Sequence, residues 1–118
     1  MSRRPLQWCA FRADLDPTHG SEQSGVRPVL VVSREVINQR LPIVAVLPMT
    51  TAKPGRRVYS TEVLLPAGAA GQPEDSIVMA HQVRTLSVRR LGQPYCELAD
   101  EDLRAAVRAA LRLYLDLE

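Results

Sequence analysis

The chain has 118 residues, of which 46% are apolar, 24% charged and 4% aromatic, with a formal net charge of +2. That is the size and make-up of one modest folded core, not of a disordered chain. The longest apolar runs, Val29–Val32 and Ile43–Leu47, fall far short of the roughly 18–20 residues of a membrane-spanning helix, and Gln7, Arg12 and Asp14 interrupt any signal-peptide core behind the N-terminus.

In chain order, Trp8 to Leu15 alternates weakly and ends at Asp16-Pro17. A polar loop follows over 17–25, marked by Gly20 and Gly25. Val29-Leu30-Val31-Val32 is apolar at every position and reads as a strand buried on both faces. Ile43–Leu47 reads the same way and is expected to stop at Pro48. After a basic loop, Ala52–Arg57, the stretch Val58–Leu65 partly alternates, as a half-buried strand would, up to Pro66. A third loop over 66–73 leads to the short apolar run Ser76–Ala80.

From Asp100 to Leu117 the pattern changes. Leu103, Val107, Leu111, Tyr114 and Leu115 recur at steps of three and four, the spacing of one helix face. Asp100 is the expected N-cap, with Glu101 and Asp102 at the positive end of the helix dipole. Leu103, Val107 and Leu111 would pack this helix on the β body, and Arg104, Arg108 and Arg112 read as a solvated face rather than a binding stripe. Several short strands followed by one helix predict a mainly β fold. We expect a small, strongly bent antiparallel sheet or barrel forming a single domain over 1–118, with the β body over about 6–98 and the helix over about 100–117.

The basic residues are nearly all arginine, Lys53 being the one lysine among 15 cations. Residues 1–98 carry 12 basic and 8 acidic side chains, whereas residues 99–118 carry 3 and 5. A mildly basic body suits a polyanion without establishing one. Cys9 and Cys96 have no CxxC partner, so two reduced thiols are expected rather than a zinc ribbon or disulfide scaffold. His19 and His81 stand outside any metal-ligand pattern, and neither a phosphate-binding glycine signature nor a GxSxG elbow occurs. No metal site and no cofactor are therefore expected.

Two blocks carry more specific chemistry. Pro28 forces Arg27 into an extended conformation at the mouth of the first buried strand. Thr50 and Thr51 follow the second buried strand. If these strands pair antiparallel, Arg27 and Thr50 meet at one rim, where a guanidinium and a hydroxyl suit phosphate oxygens. The alternative is an edge ion-pair partner and a strand-end cap.

The blocks Asp14–Gln23, Arg27-Pro28-Val29-Leu30-Val31-Val32-Ser33, Pro48-Met49-Thr50-Thr51 and Gln82-Val83-Arg84-Thr85, followed by Arg90-Leu91, together resemble the MazF/PemK (Kid) toxin family from about Phe11 to the end of the chain. The resemblance implies a small SH3-like barrel with a C-terminal helix, acting as a homodimer in the cytoplasm. It implies the toxin of a type II toxin–antitoxin system. Such a toxin is a sequence-specific, metal-independent endoribonuclease that cuts single-stranded mRNA and is neutralised by a MazE-like antitoxin with an acidic, disordered segment. Carried over by position, Arg27 and Thr50 are the catalytic pair. RNA contacts are expected from His19, Ser21, Glu22 and Gln23 in the first loop, from Thr51, Lys53, Arg56 and Arg57 around the second, and from Gln82 and Arg84.

Three departures bear on these expectations. Gln7-Trp8-Cys9 stands where the family usually has Arg-Gly-Glu or Arg-Gly-Asp, and Arg12 stands at a position more often aromatic or apolar. His81 stands where many members carry an acid, which makes it a candidate for proton transfer or RNA positioning; a plain surface histidine is the alternative. Metal-free RNA cleavage uses the 2′-hydroxyl as nucleophile and leaves 2′,3′-cyclic phosphate and 5′-hydroxyl ends. Two other readings stay open: a CcdB-like toxin that binds gyrase, and a catalytically inactive RNA-binding member of the fold.

Overall fold

A computed structural model describes residues 4–118. Seven antiparallel strands form one bent sheet: β1 (Cys9–Asp14), β2 (Val26–Val31), β3 (Ile43–Thr51), β4 (Glu62–Leu65), β5 (Ser76–Met79), β6 (Arg84–Ser87) and β7 (Leu91–Glu97). Their order is β4-β5-β3-β2-β1-β7, with β6 also pairing on β3. A short helix, α1 (Glu35–Asn38), sits between β2 and β3, and the long helix α2 (Glu101–Leu115) closes the chain. This is the expected bent antiparallel β fold with a C-terminal helix.

The uninterrupted apolar runs have a simple cause. Along β2, Val29 and Val31 enter one core while Leu30 enters another. Along β3, Val44 and Val46 join the first of these cores, and Leu47 and Met49 join the second. A strand with apolar packing on both faces cannot alternate with polar residues. The second core is closed by α2, through buried Val107 and Ala110 with Leu103 and Leu111 half-buried beside them. Asp100 caps α2 as expected, its carboxylate accepting the Leu103 N–H at 3.0 Å.

Pro48 does not end its strand. The N-terminal part of β3 pairs with β6 over Ile43–Val46, and its C-terminal part pairs with β5 over Met49–Thr51. Pro48 falls in the gap between those two partners, where its missing N–H removes no ladder bond on that edge. The strand thus turns from one half of the sheet to the other and makes the bend. The stretch from Val58 to Thr61 is a second correction, because it lies outside β4. There the Glu62 carboxylate accepts the Tyr59 N–H at 3.0 Å and folds the backbone back, overriding the β-branched residues.

The unusual N-terminal triplet is also resolved. Trp8 has φ 68°, a left-handed conformation that glycine adopts freely and tryptophan does not. Burial holds it there. The indole is 6% exposed, its N–H and C=O backbone groups bond to Val31 and Leu98, and the guanidiniums of Arg104 and Arg108 lie 5.3 and 5.0 Å from its ring. Arg104 is therefore not a solvated residue: its Nε donates to the Leu98 carbonyl at 2.6 Å and it pairs with Glu97 and Glu101. Arg104 and Arg108 thus lie against Trp8, just before β1, whereas Arg108 and Arg112 keep the exposure expected of a solvated face.

Candidate active site

The pairing of β2 with β3 sets Val29 opposite Pro48 and Leu30 opposite Leu47. Continued outward by two residues, that register faces Arg27 with Thr50. The side chains do converge, Arg27 Nη1 lying 3.5 Å from Thr50 Oγ1. The guanidinium is aimed from its other side by Nε, which donates to the Ser24 carbonyl at 2.8 Å. Both residues are half-buried. They line an open cleft of about 410 Å³ together with Ser24, Thr51, Lys53 and Ser76. The cleft wall carries two cations, Arg27 and Lys53, four hydroxyls and no carboxylate. That donor set matches the oxygens of a phosphodiester.

An adjoining hollow of about 390 Å³ extends the cleft past Thr50, Thr51 and Lys53 to Gly55 and Arg56. Here the basic loop is less free than its sequence suggests. Arg56 donates twice to Glu62, at 2.9 and 2.8 Å, a bidentate pair that occupies the guanidinium fork. The Arg56 guanidinium holds the Glu62 carboxyl below the ordinary carboxylate range, with the Tyr59 N–H adding to this and burial opposing it. Arg57 lies over the exposed Tyr59 ring, 5.2 Å from its centre.

On the other side, a smaller polar pocket of about 190 Å³ is lined by Glu22, Gln23, Pro48, His81, Gln82 and Arg84. The structure thus brings Glu22 and Gln23 of the first loop together with Gln82 and Arg84 of the segment after β5, and leaves His19 and Ser21 outside this pocket. His81 belongs to this pocket and does not line the Arg27–Thr50 cleft. Its Nδ1 sits 3.0 Å from the Thr61 hydroxyl, and its ring meets Tyr114 of α2 edge-on at 6.4 Å. His19 and Ser21 are exposed, and the turn they occupy is closed by the Glu22 carboxylate on the His19 N–H. Gln82 bonds the loop backbone at Ser21 and Gln23, and Arg84 donates one N–H to the Leu15 carbonyl. Nothing in the strand or helix patterns announces these ties, since they join residues about sixty to seventy positions apart.

Both cysteines are free, and burial, with the Glu97 charge adding, pushes the Cys9 thiol up, away from a reactive thiolate. Among the described residues, no helix is long and apolar enough to cross a membrane.

The fold is a bent antiparallel sheet that sets an arginine and a threonine side by side in an open cleft lined by cations and hydroxyls. Residues 8–115 match the family described as the PemK-like, MazF-like toxin of type II toxin–antitoxin systems, and the chain belongs to that family. It is 36% identical to Endoribonuclease EndoA of Bacillus subtilis, over 91% of this chain and 90% of that protein. It is 34% identical to Endoribonuclease MazF9 of Mycobacterium tuberculosis, over 99% and 98%. Among solved structures, MazF from Deinococcus radiodurans superposes with a TM-score of 0.79 at 31% identity, covering 96% of this chain and 97% of that one. A mycobacterial endoribonuclease in complex with its cognate antitoxin superposes with a TM-score of 0.78 at 26% identity, covering 98% of each chain.

Proposed function

We propose that the Arg27–Thr50 cleft is the catalytic centre of this type II toxin, an endoribonuclease that cuts single-stranded mRNA. The observation that carries this reading is the 3.5 Å approach of guanidinium and hydroxyl in an open cleft free of carboxylates. RNA supplies its own nucleophile, the 2′-hydroxyl, so the reaction has no need of a metal. Attack builds negative charge on a pentacoordinate phosphorus, and the expected products are a 2′,3′-cyclic phosphate and a 5′-hydroxyl. Arg27 offers a fixed charge and forked donors to the developing oxyanion, and Thr50 donates a further hydrogen bond. Lys53 and Thr51, on the same wall, hold the flanking backbone.

The neighbouring pocket suits a splayed base, because it offers amide, imidazole, carboxylate and guanidinium groups for hydrogen bonds beside the apolar Pro48 and Val83. In this reading His81, which lines that pocket and not the Arg27–Thr50 cleft, positions RNA instead of moving a proton. The cationic cleft also fits the acidic segment of a MazE-like antitoxin, which would compete with RNA for the same wall. A homodimer is supported by apolar surface left open on the single chain, where Val36, Ile37, Leu41 and Ile43 are each more than 40% exposed. A cytoplasmic setting follows from the substrate.

Incubation with a long unstructured RNA in EDTA, followed by end-group mapping, tests the reading. Discrete fragments with cyclic phosphate ends are expected, formed about 10³-fold more slowly in Arg27→Ala. Intact RNA would refute it, in favour of a gyrase-binding toxin or an inactive RNA binder. Light scattering at micromolar concentration tests the dimer, and a monomer there would overturn it.

A further inference from the structure

The loop between β1 and β2 borders the cleft, and its near end is tied to a distant segment. Arg90, in the one-turn 3₁₀ segment after β6, directs Nη1 at two carbonyls, Asp16 at 2.8 Å and Asp14 at 3.2 Å. Arg84 takes the carbonyl between them, that of Leu15, at 3.0 Å. Three successive carbonyls, where β1 leaves the sheet, are therefore held by two guanidiniums. The Leu15 N–H then donates to the Gly25 carbonyl at 2.9 Å and closes the base of the loop. The adjacent Ser24 carbonyl is the one that accepts Arg27 Nε.

We propose that Arg90 is a positioning residue for RNA cleavage: it fixes the start of the β1–β2 loop and, through the Leu15–Gly25 link and the Ser24 carbonyl, the aim of Arg27. The proposal rests on the nuclease reading of the cleft. Arg90 itself does not line the cleft, so its effect on chemistry must pass through the loop. A free arginine side chain explores many rotamers, and the Ser24 bond removes that freedom at Nε. If the carbonyl drifts, the guanidinium drifts with it, and displacements near 1 Å are enough to slow a reaction about 10²-fold.

The competing role is a direct electrostatic contact with RNA, and kinetics separate the two. Arg90→Ala is expected to lower kcat on a short single-stranded RNA about tenfold, with KM within about twofold and an unchanged salt dependence. Hydrogen exchange at the Leu15 amide should quicken in the same variant. Arg90→Gln, which keeps amide donors without the charge, should retain more of kcat than alanine does, and it carries the test if the alanine variant does not fold. A raised KM with unchanged kcat, and a salt slope shallower by about one, would make Arg90 an RNA contact and overturn the proposal. Unchanged kcat in Arg90→Ala overturns the proposal alone, whereas absence of cleavage by the unaltered chain overturns the nuclease reading as well.

Discussion

Arg27 and Arg56 stand on two linked hollows that share Thr50, Thr51 and Lys53, yet they are in different states of engagement. Arg56 has both ends of its fork on Glu62, a side chain only 2% exposed. Arg27 has one nitrogen on a backbone carbonyl, a long 3.5 Å contact to Thr50 and no carboxylate partner among its hydrogen bonds. The contrast shows that a basic loop read from sequence is not a count of available cations. What matters is how much donor capacity the fold has left unspent. Arg56 builds the wall and Arg27 faces the space.

The sharpest way to break this comparison is to exchange the two losses. Arg27→Ala should lower cleavage by about 10³-fold, the cost of removing an oxyanion donor from a preorganised site, while thermal stability stays within about 0.5 kcal/mol. Arg27→Lys should recover only part of the rate, since an ammonium keeps the charge but not the fork. Cleavage rate and unfolding midpoint measured on the same preparation decide the matter. Thr50→Ala should cost about 10²-fold with Thr50→Ser restoring most of it, because the hydroxyl and not the methyl is at work.

Arg56→Ala should do the reverse. It leaves a nearly buried Glu62 carboxylate with the Tyr59 N–H as its remaining partner. A loss of about 1–3 kcal/mol in stability is expected, less than for a fully buried pair because Arg56 is itself partly exposed. Cleavage should fall far less than in Arg27→Ala. If denaturant melts show no loss of stability while the rate collapses, Arg56 belongs to the RNA surface and the contrast between the two arginines fails.

The residues differ in how far the sequence alone reveals them. Arg27 and Thr50 were legible because they close two apolar runs whose antiparallel pairing brings their ends together. The helix was legible from its spacing and its Asp100 cap. Pro48 misled, because the rule against proline assumes a strand with one partner on each edge, and β3 changes partners at that residue. Val58–Thr61 misled because β propensity is weak beside a buried carboxylate that binds Tyr59 and Arg56. The ties of Gln82, Arg84 and Arg90 to the first loop link polar atoms across the fold and leave no periodicity to find. The resemblance marks those positions, and the fold decides what their side chains hold.

The smallest effect expected is also the one that isolates the Arg56 side of the comparison. The Glu62 carboxyl lies below its ordinary unfolded value when the chain is folded, and Arg56 is the leading cause. A depressed carboxyl contributes stability that is present above the unfolded value and lost as pH falls through the folded one. Stability should therefore hold between about pH 7 and 5 and decline below that. Glu35 adds to the same acid limb: burial pushes its carboxyl up, but hydrogen bonds from Gln7, Gln39, Leu6 and Asn38 outweigh this and leave it lowered. Arg56→Ala should make the decline shallower without abolishing it, the remainder belonging to Glu35 and to the Tyr59 N–H that still bonds Glu62. Arg27→Ala should leave the acid limb as it was, since no carboxylate is among the hydrogen-bond partners of Arg27. An unaltered slope in Arg56→Ala, followed by circular dichroism melts from pH 7 to 3, would show that Glu62 owes its low value to something other than the arginine beside it.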